Sequence, residues 1–492
     1  MYSKREKVLI TFIVSAFCLV SALSNRSYYP ALPLISKDFN VSVSLVNMTV
    51  MVYMVFQGIS PCFWGPVADM WGRRPVYLIS FIIFIGTCSG LAIINSFSGL
   101  LVLRMIQSFS ESSCNVIGFG TIADITTSAE RASYNNIIAS TLSISMALSP
   151  IFGGVISNQL SWRWIFWILF ILGAVSWISI LLFLPETLRS HVDQDRNAAL
   201  KHNSNRSDIP VMKWVTRNKQ LVCHSPSSPP TGSLEIKSNS KKYSNRYQSP
   251  NFLEQILFLR HPDIFLIIIS MGWFSSVSIA LFMTTTPTHF STIYNLNTLQ
   301  IGLCYVPYAI GSIVGSFISS RLLDQYFKNI ASKYQMTKET IQKLRNIPVD
   351  FPIYRTRLHG IVFVIAIGQL VMISYGWVLY VRAHLSVPLA FQFLVGVCNA
   401  PLFNGGNSLL IDLIPNRCAS IMATSTLVAS LLRALAVATV EIGIDHIGLG
   451  WTFTIFGVSM SISTLIIPVL IKYGPKWREC RIYQQKKEEQ QK

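Results

Sequence analysis

The chain has 492 residues, of which 51% are hydrophobic and only 13% charged, and its formal net charge is +18. A soluble domain carries about 25% charged residues, so this composition excludes a string of soluble domains, and with them collagen-like, disulfide-scaffold and disordered classes. A basic excess of this size would suit nucleic acid. Here, however, the charges avoid the apolar stretches and gather in a few polar segments, as loops held on one side of a membrane do. Of nine cysteines, most (Cys18, Cys62, Cys88, Cys114, Cys304 and Cys398) fall inside apolar stretches, where they act as small buried hydrophobes. No disulfide framework or metal-ligand spacing is visible.

The first apolar stretch begins at Val8 behind Lys4, Arg5 and Lys7 and runs to Tyr29. That is too long for a signal-peptide core and is read as a retained helix. Windows of about 20 apolar residues then predict twelve spans, six at 8–29, 43–65, 76–95, 99–121, 134–157 and 163–184 and six at 263–286, 300–320, 358–380, 388–411, 418–442 and 451–471. The expected fold class is an all-α polytopic membrane protein. Its expected layout is an N-terminal six-helix unit (1–184), a flexible cytoplasmic linker (185–262), a C-terminal six-helix unit (263–472) and a short basic tail (473–492). The linker is rich in Ser, Asn, Pro and Lys, with HSPSSPPTGS at its centre, a disordered composition. A short amphipathic helix is expected around Thr337–Arg345.

Lysine and arginine placement predicts the topology. With a cytoplasmic N-terminus, 34 of the 40 fall in inside segments, four outside (Arg26, Lys37, Arg163 and Arg382) and two within spans (Arg104 and Arg433). That asymmetry places both termini in the cytoplasm.

After the second span comes Gly65-Pro-Val-Ala-Asp69-Met-Trp-Gly72-Arg73-Arg74-Pro75. Glycines suit the ends of a tight turn, and Asp69 with Arg73 and Arg74 can build an ion-pair network between helix ends that holds one conformation. In the fifth span, Ser149-Pro150-Ile-Phe-Gly153-Gly154 combines a kinking proline with small residues that allow close helix approach.

These segments resemble the loop signature and the antiporter motif of the major facilitator superfamily. Arg104 in LRMIQ and Leu184-Pro185-Glu186-Thr187 after the sixth span extend the likeness along the chain. YYPALPLI, FPIYRTRL (351–358) and IDHIGLGWTFT (444–454) narrow it to fungal twelve-span drug:proton antiporters, on the branch with quinidine-resistance and dityrosine transporters. Ser149 replaces the motif's leading glycine, and Tyr354 stands where that branch leads one to expect an acid. The resemblance implies two six-helix bundles with spans one, four, seven and ten lining a cavity. It offers Asn25, Tyr28, Glu111, Trp273, Phe274, Gln392, Asn399 and Asn404 as substrate contacts, and Asp412 as part of a cytoplasmic gate.

Proton coupling has its own argument. Charges at membrane depth cost about 2.5–3.5 kcal/mol each on insertion scales and are functional candidates by default. Arg104 and Glu111 in the fourth span and Arg433 in the eleventh qualify. Seven residues apart on one helix, Arg104 and Glu111 share a face about 10 Å apart, too far for easy pairing but suited to one cavity. A carboxyl withdrawn from water favours its neutral form and can exchange protons near neutral pH, so Glu111 is the expected proton carrier or a ligand for a cationic substrate, in which aromatic residues would assist. Glu441 is a further candidate near an outer helix end. All eight histidines fall in loops or at helix ends, with His289 and His446 read as solvated residues at the outer mouth. Asn25, Asn40 and Asn47 begin glycosylation sequons, with Asn40 in a short outer loop.

The expected activity is proton-coupled export of small organic molecules (drugs, organic cations, polyamines or weak acids). The alternative is a dedicated dityrosine or spore-wall-precursor exporter, with a sugar importer or a non-transporting sensor behind it. No phosphate-binding Gly-rich loop is present, so the proton gradient is the expected energy source, with no cofactor, metal or catalytic residues. The expected partners are a small-molecule substrate, protons and lipid, not nucleic acid, for a monomer in the plasma membrane or, alternatively, a spore, prospore or vacuolar membrane.

Overall fold

The structure is a computed structural model, and it describes residues 3–126, 131–187, 257–333, 351–358, 360–414 and 418–491. The central HSPSSPPTGS segment and the helix expected at Thr337–Arg345 lie outside the described residues. In the first half, α1 (Lys4–Arg26), α2 (Leu32–Phe39), α3 (Val43–Trp71), α4 (Arg73–Ile93), α5 (Phe97–Glu111), α6 (Cys114–Ile125), α7 (Arg131–Gln159) and α8 (Arg163–Phe183) follow in order. In the second half come α9 (Pro262–Ile293), α10 (Thr298–Leu303), α11 (Val306–Lys333), α12 (Ile353–Leu358), α13 (Ile361–Tyr380), α14 (Ser386–Leu413), α15 (Cys418–Ile447), α16 (Leu449–Ser459) and α17 (Ser461–Gln491). The described residues are almost entirely helical, and eleven of the helical segments are long and apolar enough to cross a membrane.

The twelfth expected span is present as two pieces. Helix α5 ends at Glu111, Ser112 and Ser113 interrupt it, and α6 begins at Cys114, so neither piece alone reaches membrane length. The serines supply the physical reason. Ser112 donates to the Ser108 carbonyl one turn back at 2.7 Å, a local side-chain bond that competes with regular helix, while Ser108 ties α5 to the Tyr53 carbonyl of α3 at 2.6 Å.

Side-chain contacts set the helix directions. Arg73 at the start of α4 meets Asp124 at the end of α6, whereas Arg163 at the start of α8 reaches the Ile94 carbonyl after α4. The α5–α6 pair therefore runs from one end of the bundle to the other. Along α1, Val14 lies at Gly118, Cys18 bonds the Cys114 carbonyl and Ser21 the Glu111 carbonyl. The N-terminus thus shares the end carrying Arg73, here termed proximal.

The two halves are knit toward the distal end. On α3, Asn47 bonds Glu441 of α15, and a Cβ at Gly58 would lie 2.9 Å from Ser430. On α7, a Cβ at Gly154 would meet the Thr298 carbonyl at 2.6 Å.

Three expectations are corrected here. The first span does not end at Tyr29: the chain continues through a short 3-10 turn, Tyr29–Ala31, into α2. Pro30 and Pro33 break the helix without turning the chain, and Leu32 and Ile35 remain buried. Arg26 therefore lies within the first span instead of outside the membrane. Second, the expected basic tail is the continuation of α17. Arg478 and Arg481 are buried in it, and Arg481 pairs with Asp263 at 2.8 Å. Third, His289 sits inside α9, partly buried, and is not a solvated loop residue.

Candidate functional site

Buried tyrosines and arginines gather on α1, α3 and α5 of the first half, and α3 packs against α15 of the second. The Arg104 guanidinium is sandwiched between the rings of Tyr28 and Tyr53, at 4.1 and 4.2 Å from their centroids, a cation–π arrangement. Its Nη1 donates to Gln107 at 2.8 Å, and its Nε has no hydrogen-bond partner. Tyr28 is fixed by Thr49 at 2.9 Å.

Glu111 is equally buried. Its Oε1 accepts a hydrogen bond from the Tyr53 hydroxyl, while Oε2 has no partner. Arg104 and Glu111 are thus not paired directly. Tyr53 stands between them, offering its ring to the cation and its hydroxyl to the acid. Tyr53 drew no attention in the sequence, because one tyrosine among many on an apolar helix carries no local signal.

Arg26 lies at the end of α1, and Arg433 lies within α15. Tyr308 of α11 accepts from Asn399 at 3.0 Å. The Arg433 Nε is buried without a partner. Among the described residues, none of these three arginines forms an ion pair with a carboxylate.

The other expected cavity residues divide. Asn399 bonds Tyr308, and Asn25 lies partly buried beside Arg26. Trp273 instead donates to Ser459 of α16 at 3.2 Å, and Phe274 packs against Gly368 of α13. Gln392 bonds Thr286 and Tyr375, each at 3.2 Å, and Asn404 bonds Ser319 at 3.3 Å. All four make contacts internal to the second half.

Both proximal networks are also internal to one half. Asp69 holds Arg73 at 2.6 Å, Arg73 reaches Asp124 at 3.2 Å, and Arg74 donates to the Leu181 carbonyl at 2.7 Å. The Glu186 carboxylate accepts the backbone N–H groups of Arg73 and Arg74 at 2.9 and 3.2 Å, an acid on a helix N-terminus. Gly72, at φ 102°, makes the turn, while Gly65 lies inside α3 and turns nothing. In the second half, Asp412 pairs with Arg357 at 2.9 Å. Tyr354 donates to Asp263 at 3.0 Å, so the acid expected at position 354 is supplied by α9.

The antiporter-like segment seals the bundle. A Cβ at Gly153 would strike the Ser27 carbonyl, and a Cβ at Gly302 would lie 2.6 Å from the Pro150 carbonyl.

This architecture is that of a membrane transporter, and the sequence profile of the Major Facilitator Superfamily matches residues 14–437. The chain belongs to that superfamily, whose members carry small molecules across membranes and are not enzymes. It is similar to Citrate exporter 1 of Aspergillus niger, at 32% identity covering 98% of this chain and 88% of the relative. It is also similar to Multidrug transporter QDR2 of Candida glabrata, at 26% identity covering 96% and 80%. Among solved structures, the D-xylose-proton symporter aligns with a TM-score of 0.64 at 14% identity, covering 94% of this chain and 97% of its own. A bacterial homolog of the lysosomal transporter Spinster aligns with a TM-score of 0.59 at 12% identity, covering 97% and 98%.

Proposed function

We propose that this protein exports small organic molecules in exchange for protons, with the binding site between the two halves and the plasma membrane as its location. The observation that carries this reading is Tyr53, which joins the buried acid Glu111 to the buried cation Arg104 within the first half. Loading or unloading a proton at Glu111 changes what the Tyr53 hydroxyl bonds to. A moved Tyr53 ring changes the face presented to Arg104, so proton and substrate compete through one side chain. Differential binding of the two ligands to the two ends of the transport cycle then supplies coupling. Relatives named as a citrate exporter and a multidrug transporter support export.

The test uses purified protein in liposomes under an imposed pH gradient, with organic acids, cationic drugs and polyamines added in turn. Substrate-triggered proton movement that disappears in Glu111→Gln is expected. Movement that survives the substitution would overturn the role given to Glu111, and none with any compound would overturn antiport.

A further inference from the structure

We infer that Glu441 is a second proton-binding residue whose state is read by Asn47, the neutral acid closing with the amide into a ring of two hydrogen bonds that ties the halves together at the distal end. Glu441 lies on the other half from Glu111 and at a seam between the halves. The inference therefore goes beyond the exchange proposed above, on which it rests only for its use in transport.

The geometry of the pair carries the inference. Asn47 and Glu441 are 3% and 6% exposed. The Asn47 Nδ2 donates to the Glu441 Oε1 at 3.1 Å, while Oδ1 of the same amide is buried with no hydrogen-bond partner. A carboxylate only accepts hydrogen bonds, and so does an amide oxygen, so an ionised Glu441 cannot serve Oδ1. A proton on Oε2 turns that oxygen into a donor. Oδ1 and Nδ2 sit on one planar group, as do Oε1 and Oε2, so the neutral acid can meet the amide edge to edge. Nδ2 then donates to Oε1 and Oε2 donates to Oδ1. One proton is taken up from water at the distal end and stays on Oε2, and no other covalent bond forms or breaks. Buried acids elsewhere are served differently: Asp263 has Arg481 and Asp412 has Arg357. Among the described residues no lysine, arginine or histidine pairs with Glu441, and its partner is the Asn47 amide. An uncompensated buried charge and an unmade buried hydrogen bond are both costly, and one proton removes both costs.

The helices around the pair bring little other charge to this level. Of those packed against α15, α3 carries no acid or base before Asp69, α14 none before Asp412 and α6 none before Asp124, all three at the proximal end, and α16 carries none. Helix α9 carries Asp263 at its proximal start and His289 toward its distal end, the latter with Nε2 buried and unpartnered. On α15 itself Arg433 lies about two turns back. Asp445 and His446 follow Glu441 and are both exposed, which places the acid about one turn from water. Because the proton favours the joined halves, joining them takes up a proton: acid shifts the distal end toward closed and alkali toward open. A closing distal end collects its proton there and an opening one releases it, so gate and proton move together.

The experiment follows the distal end of purified full-length protein without substrate or flux. Spin labels on Leu45→Cys of α3 and Ile447→Cys of α15, both exposed positions, report the distance across the seam. Infrared difference spectra between alkaline and acid buffer report the proton through the carbonyl band of a carboxylic acid. In the parent protein the ratio of open to closed should fall at least about fivefold from about pH 8 to about pH 5, and a carboxylic-acid band should appear. Glu441→Gln imitates the neutral acid, because its amide can both donate to Oδ1 and accept from Nδ2. It should stay closed, changing less than about twofold over that range, and should lack the band. Its closed state is also the folding control, since a variant that had merely lost structure would open. Asn47→Ala removes the ring, so the distance should no longer follow pH while the Glu441 band remains at a shifted frequency. Asp445→Asn and His289→Gln should keep the response. A distal end that ignores pH in the parent, a response that survives in Glu441→Gln, or one that vanishes in His289→Gln or Asp445→Asn would each overturn the inference. Proton-coupled flux in liposomes with a distal end that ignores pH would overturn this inference and leave antiport standing. Acid-driven closure through Glu441 with no substrate-triggered proton movement would do the reverse.

Discussion

Asn47 in α3 donates its side-chain amide to the Glu441 carboxylate of α15 at 3.1 Å, joining the two halves near the distal end of the bundle. Glu441 is buried, and Asp445 lies four residues on along the same helix. A latch of this kind opens when its donor is changed. Asn47→Asp would set two carboxylates face to face, so the distal end should open at neutral pH and reclose as acidification protonates one of them. Labelling of a cysteine placed at Thr298, beside Gly154, would read this: at least severalfold faster at pH 7.5 in the variant than in its parent, with the difference shrinking toward pH 5.

Tyr53 has two separable functions. Tyr53→Phe keeps the ring over Arg104 and removes the hydroxyl from Glu111. Substrate binding should change by less than about threefold, whereas the pH profile of proton-coupled flux should move. Tyr53→Leu removes both contacts and should weaken binding as well, a cation–π contact of this kind being worth about 0.5–2 kcal/mol. Parallel binding and flux measurements on the two variants check the separation.

Close packing at Gly153 predicts steep intolerance. Its substituent would enter the Ser27 carbonyl of the first half, and overpacking of this sort costs about 1–3 kcal/mol. Gly153→Ala should lower the melting temperature in detergent and shrink the monodisperse peak. Gly65→Ala, whose nearest neighbour would be Val116 at 3.9 Å, should leave both unchanged.

The end of α17 is part of the folded body. Asp263 and Arg481 are 1% and 5% exposed at the side chain, and removing one member of a buried pair costs about 3–5 kcal/mol. Truncation after Lys476, which removes Arg478 and Arg481, should therefore destabilise the protein about as much as Arg481→Ala, while truncation after Tyr483 should not. Thermal unfolding of the three proteins compares them.

Much of this was legible in the sequence, and the omissions share a cause. Helix number and type follow from long apolar windows, and Arg104, Glu111 and Arg433 stand out because charge is rare there. Arg26 was missed because Pro30 and Pro33 resemble the end of a span, although the chain carries on as α2. Tyr53 and Tyr308 were invisible because their roles come from neighbours on other helices. Trp273, Phe274, Gln392 and Asn404 shared the cavity-lining spans, but residues on one helix face different partners, and helical phase alone does not say which face meets the other half.

The serine interruption between α5 and α6 bears on how such chains are counted. Neither helix of this pair is long enough alone to cross a membrane, and eleven other segments among the described residues are. An odd tally puts the two chain ends on opposite sides of a bilayer. Arg73 against Asp124 at one end, with Arg163 against Ile94 at the other, restores the missing passage and makes the parity even. Two serines between α5 and α6 thus decide whether the chain is counted with an odd or an even number of crossings.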